Sequence, residues 1–153
     1  MNNPKTYLAL IFITAFLLSA CASNLPSAPS ELHLSETSWV LMSIDENDQV
    51  GEVIGSEPVT LNFASESEFN GFGGCNSYSG SYDTDTQTAS ITFTDIVSTL
   101  IACEDAAIMN VESLFFESLN TAASFEVSSD AIPVTGDTLT ITGGGHTLVF
   151  VSL

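Results

Sequence analysis

The stretch Gly73-Gly74-Cys75-Asn76-Ser77-Tyr78-Ser79-Gly80-Ser81-Tyr82 sets the reading of the whole chain. Its successive glycines admit backbone angles closed to other residues, so Gly73 to Asn76 reads as a turn. From Ser77 onward small residues alternate with Tyr78 and Tyr82, the pattern of a strand with its large side chains on one face.

Working outward, Glu68-Phe69-Asn70-Gly71-Phe72 and Val59-Thr60-Leu61-Asn62-Phe63 also alternate apolar and polar residues, with Ala64 to Ser67 as the turn between them. Thr37 to Ile44, with Trp39 and Leu41, forms a first strand that is expected to end in the turn Asp45-Glu46-Asn47-Asp48. Downstream, Asp83 to Gln87 is a turn and Ala89 to Phe93 another strand. From Asp105 the period lengthens: Ile108, Val111, Phe115, Leu119 and Ala122 form one helical stripe, beside Glu112 and Glu117. The tail returns to period two in Phe125 to Val127, Leu139 to Ile141 and Leu148 to Phe150, with Gly143-Gly144-Gly145 as the last hairpin. Antiparallel strands, one main helix and a closing antiparallel set predict an α+β domain of about six to eight strands.

The chain opens on Lys5 followed by an apolar run from Tyr7 through Leu18, interrupted by Thr14. That run is too short for a bilayer-spanning helix and has the length of a signal-peptide core. Leu18-Ser19-Ala20-Cys21 resembles a bacterial lipobox, so residues 1–20 are expected to be a signal peptide and Cys21 the acylated first residue of the mature protein. Each buried methylene of an acyl chain contributes about 0.8 kcal/mol, so more than one chain gives stable attachment. Residues 21–35 are small and proline-punctuated and read as a tether; the domain proper is expected over residues 36–153.

Lys5 is the one Lys or Arg of the 153 residues, and all 19 acidic residues lie at or beyond Glu31. Removal of the leader leaves no permanent cation to clamp phosphate, which excludes nucleic-acid binding and disfavours an anionic lipid surface. The acidic shell repels itself, so added salt is expected to raise the melting temperature.

The residues quoted above, with Trp39-Val40-Leu41, Ser98-Thr99-Leu100-Ile101-Ala102-Cys103, Gly136-Asp137-Thr138-Leu139-Thr140-Ile141 and Leu148-Val149-Phe150, resemble the META domain family, which includes a heat-inducible bacterial lipoprotein. The resemblance runs from about Thr37 to Ser152. It implies a curved, mainly antiparallel sheet packed against one helix, with Trp39, Gly74, Cys75, Asn76, Tyr78, Gly80, Tyr82, Thr99 and Cys103 as structural motif residues. The chain departs from the family pattern at Ser77, where many members carry arginine, and at Ile101-Ala102, where many carry methionine. Ser129 to Thr135, with Pro133, has the look of an insertion.

Two cysteines remain in an exported domain, which favours a Cys75–Cys103 disulfide over two buried free thiols, and no C-x-x-C spacing supports redox catalysis. His33 in the tether and His146 in the last hairpin read as solvated loop residues; a metal site would have to draw on distant segments, and no G-x-S-x-G nucleophile elbow accompanies either histidine as a general base. Asp45-Glu46-Asn47-Asp48 and Asp83-Thr84-Asp85 carry oxygens suited to calcium without the order of an EF-hand. Phe63, Phe69, Phe93, Phe115, Phe116, Phe125 and Phe150 read as core; an acyl chain could fit if some lined a cavity. The expectation is thus a non-enzymatic lipoprotein without metal or cofactor, anchored in the outer membrane facing the periplasm. It would support envelope integrity or stress tolerance with an unnamed envelope protein partner. The alternative is a pilotin-like or lipid-holding module with an apolar groove.

Overall fold

The computed structural model describes residues 33–46, 49–52, 57–129 and 136–153. The leader, Cys21, most of the tether, Asn47-Asp48 and the body of the expected insertion lie outside the described residues. The elements are β1 Thr37–Glu46, β2 Gln49–Glu52, β3 Thr60–Phe63, β4 Glu68–Phe72, β5 Ser77–Asp85, β6 Ser90–Ser98, α1 Ala106–Asn120, β7 Ser124–Ser129, β8 Asp137–Gly143 and β9 His146–Ser152.

Neighbouring strands pair antiparallel in the order β1-β3-β4-β5-β6-β7-β8-β9, and β9 returns to β1 with Leu41 opposite Phe150 and Ile44 opposite Leu148. The sheet is therefore closed into an eight-stranded barrel, and the expectation of an open curved sheet is corrected on this point. β2 is a short hairpin arm that continues from β1 beyond β3. Closure needs strong local coiling, and two irregularities supply it, one in β1 between Leu41 and Ser43 and one where β6 passes Gly80. Gly80 lies beneath the Phe69 ring, where a Cβ would stand 2.8 Å from that ring and from the Thr94 carbonyl. Joining β1 to β9 also removes two strand edges that would otherwise invite intermolecular pairing.

The weakest seam is between β6 and β7, paired at Ser90 and Ser124 and flanked by Phe125 N–H donating to Ala89 O at 2.9 Å. α1 links these strands and turns Phe115 and Leu119 inward, where both are fully buried. Asp105 caps it, its carboxylate accepting from Ala107 N–H at 2.8 Å. Aromatic edges fill the interior: Phe115 meets Tyr78 at 5.5 Å and Phe150 at 6.5 Å between centroids, and Phe69 meets Phe93 at 4.9 Å.

Several sequence boundaries move. β1 runs on through Asp45 and Glu46, because β9 offers ladder partners as far as His146. β5 takes in Asp83 to Asp85, and β6 extends to Ser98. Leu34 is buried, two residues before the expected start, and Thr37 Oγ1 donates to its carbonyl. The Gly143–Gly145 hairpin stands as expected, with Gly144 and Gly145 at positive φ and Gly143 paired with His146.

Candidate functional site

The turn between β4 and β5 and the segment that follows β6 come together over the first turns of α1. Gly74 holds φ of +108°, a conformation glycine adopts without strain. Gly73 leaves room for Glu112, since a Cβ there would stand 2.7 Å from Glu112 Oε1. Glu112 is consequently drawn inward and is only 6 % exposed. Its Oε1 accepts from the backbone N–H of Asn76 at 2.6 Å and of Cys75 at 3.3 Å, and its Oε2 from Asn76 Nδ2 at 2.7 Å. With no Lys or Arg among the described residues, these N–H donors do the work a cation would otherwise do for a buried carboxylate.

Asn76 is the hub. Its Oδ1 accepts from Thr99 Oγ1 at 2.8 Å and from Ile101 N–H at 2.7 Å, while Nδ2 also donates to Ile101 O at 3.2 Å. One side-chain amide thus imitates a strand partner for Ile101. Thr99 N–H donates to Ser77 O at 3.0 Å, and a disulfide joins Cys75 to Cys103, with the two Cα atoms 6.0 Å apart. Leu100, between two pinned neighbours, points out with 96 % of its surface exposed. Beside it lies an open hollow of about 400 Å³ lined by Ile101, Met109, Glu112 and Phe116 among others.

The remaining motif residues serve the barrel. Tyr78 Oη crosses over Gly71 to donate to Thr60 O at 2.6 Å, and Tyr82 Oη donates to Ser65 O at 2.7 Å. Burial pushes the Tyr78 phenol well above the ordinary tyrosine range; burial and then the Glu66 charge raise that of Tyr82. Trp39 is buried, its Nε1 donating to Thr37 Oγ1 at 2.7 Å.

His33 is exposed as expected, 3.7 Å from Glu66. His146 is not: it opens β9 on the same face as Leu148 and Phe150, is 7 % exposed, and its Nδ1 has no hydrogen-bond partner. The expectation of a solvated loop histidine is corrected there. Among the described residues no group of three or more His, Cys, Asp or Glu side chains is gathered as a metal ion would require. Phe116 is half-buried, whereas the other six phenylalanines assigned to the core are buried.

Glu112 was the functional residue that sequence reading missed. The signal was present, because Glu112, Phe115 and Leu119 share the i, i+3, i+7 stripe, but a carboxylate in that position reads as solvated.

Three solved structures share the fold. A protein from Burkholderia xenovorans, solved by NMR, matches with a TM-score of 0.65 at 24 % identity over 88 % of this chain and 97 % of that one. A second NMR structure matches at 0.56 with 18 % identity over 81 % and 95 % of the two chains. A crystal structure of a DUF4847-family protein from Bacteroides vulgatus matches at 0.54 with 13 % identity, over 80 % and 96 %. No curated protein matches. The META domain family model matches residues 32–153, which takes in the barrel, the helix and the Asn76 corner, and the chain therefore belongs to the META domain family.

Proposed function

We propose that this chain is a non-enzymatic envelope lipoprotein, held at the outer membrane through an acylated Cys21, whose META barrel is a docking module that supports envelope integrity. Anchoring rests on the order of Lys5, the apolar run and Leu18-Ser19-Ala20-Cys21. Docking rests on one observation: a polar clamp, a disulfide and a buried carboxylate together pin the backbone on both sides of an exposed leucine. An exposed apolar side chain carried on pinned backbone suits an interface anchor, because less backbone freedom is lost on contact. Among the described residues aromatic rings pack edge to face across the barrel interior, which favours docking over lipid storage.

The test has two arms in intact cells. Mass spectrometry of the mature N-terminal peptide should find a diacylated or triacylated Cys21, and Cys21→Ser should remove the protein from the membrane fraction. A photo-cross-linking residue at Leu100 should give a discrete protein adduct that the same residue at Met42, exposed elsewhere, does not. An unacylated mature N-terminus ends the anchoring claim, and equal adducts at both positions end the docking claim.

A further inference from the structure

The surface around Leu100 combines two properties that select a partner. Val97, Leu100, Ile101 and Met109 are 64 %, 96 %, 60 % and 40 % exposed and follow one another along the end of β6, the clamped loop and the start of α1. Leu100, Ile101 and Met109 line the same hollow, and exposed apolar residues gathered in this way mark a contact surface. Ser98 and Thr99 lie between Val97 and Leu100, and the exposed charged residues of the same segment, Asp95, Glu104 and Asp105, are all acidic. The lone Lys lies in the expected leader, so the described chain offers no fixed positive charge to neutralise them.

Resting on the docking reading above, we infer that this surface receives a cationic amphipathic segment of another protein. The segment's apolar side chains enter the hollow beside Leu100, and its Lys or Arg residues lie over Asp95, Glu104 and Asp105. Charge complementarity decides among the occupants. A second copy would bring the same excess of carboxylates to the same place, and an anionic bilayer would be repelled in the same way. A neutral apolar segment would fill the hollow but bring no opposite charge to the exposed carboxylates of Asp95 and Glu104 in the same segment. Arg and Lys stems add apolar contact of their own as they reach the rim.

The decisive experiment uses the full chain in phosphatidylcholine nanodiscs, with methyl-labelled Leu, Ile and Met followed by NMR. The probes are roughly five-turn peptides of three patterns: Leu with Lys, Leu with Glu, and Ser with Lys. The Leu/Lys peptide should shift the methyl signals of Leu100, Ile101 and Met109 saturably. Its affinity should exceed that of each other peptide by about tenfold or more, and should fall by a similar factor on raising NaCl to about 0.5 M. Leu100→Ser should weaken the Leu/Lys peptide by about tenfold, whereas Met42→Ser should not. Both positions are exposed, so folding is not at risk. Equal affinities for the Leu/Lys and Leu/Glu peptides would overturn the cationic partner while leaving docking intact. Equal affinities for Leu/Lys and Ser/Lys, or no shift at these methyls with any peptide, would overturn both.

Discussion

Along the wall made by β8 and β9, Leu139, Ile141, Leu148 and Phe150 are all essentially inaccessible and held by burial, whereas the Asn76 corner is held by directed bonds around a carboxylate and a disulfide. The wall turns its apolar side chains in and exposes polar ones, as the hydrophobic effect dictates. The corner does the reverse, keeping Glu112 and Asn76 inside and Leu100 outside. Stability alone explains the wall. It does not explain an exposed leucine on backbone pinned this firmly at both sides, so the contrast separates what the barrel needs from what the surface is for.

The sharpest way to probe that contrast is to damage each side separately. Phe150→Ala empties a fully buried site where β9 meets α1 and should cost about 3 to 5 kcal/mol, lowering amide protection across the whole barrel in hydrogen exchange. Cys75→Ser with Cys103→Ser opens a loop with a sequence separation of 28 and should cost about 3 to 4 kcal/mol in denaturant titration. Asn76→Ala should cost about 2 kcal/mol, with the Ile101 amide losing protection while Leu139 and Phe150 keep theirs. Global loss of protection in that variant would erase the distinction between corner and wall.

Tyr78→Phe tests the joint between the two regions, since the ring packs on Phe115 while the hydroxyl binds Thr60 O. It should cost about 1 kcal/mol at neutral pH. The folded phenol is raised by burial above its unfolded value of about 10, so the unfolded chain releases the proton first as pH rises. Stability present below that pH is lost above it, and the Phe variant should lose less in alkaline melting curves.

Much of the barrel was legible as period-two alternation, and α1 as a change of period at Asp105. Closure was not legible, because it depends on β1 and β9, the first and last strands, meeting across the whole domain, and no local pattern encodes a pairing of that range. His146 was misread for a different reason. Its parity with Leu148 and Phe150 placed it on the inner face, but its position after three glycines suggested a loop. At the corner, the cysteines and Asn76 stood out in the sequence; Glu112 did not, because two of its three donors are backbone N–H groups of a turn 36 and 37 residues away in the chain, and backbone groups leave no mark in residue type.

The register of the first strands has a mechanical consequence. Thr37 enters opposite Phe63, beside the 64–67 turn, while the Asn76 clamp sits at the other end of β3 and β4. If Cys21 anchors the chain and a partner grips Leu100, as proposed, a pull between them would therefore run lengthwise along these strands. Ladder bonds lie across the strands, so such a load is shared by several at once in shear instead of being taken by one bond after another as in peeling. The disulfide carries the far end of that load covalently into β5.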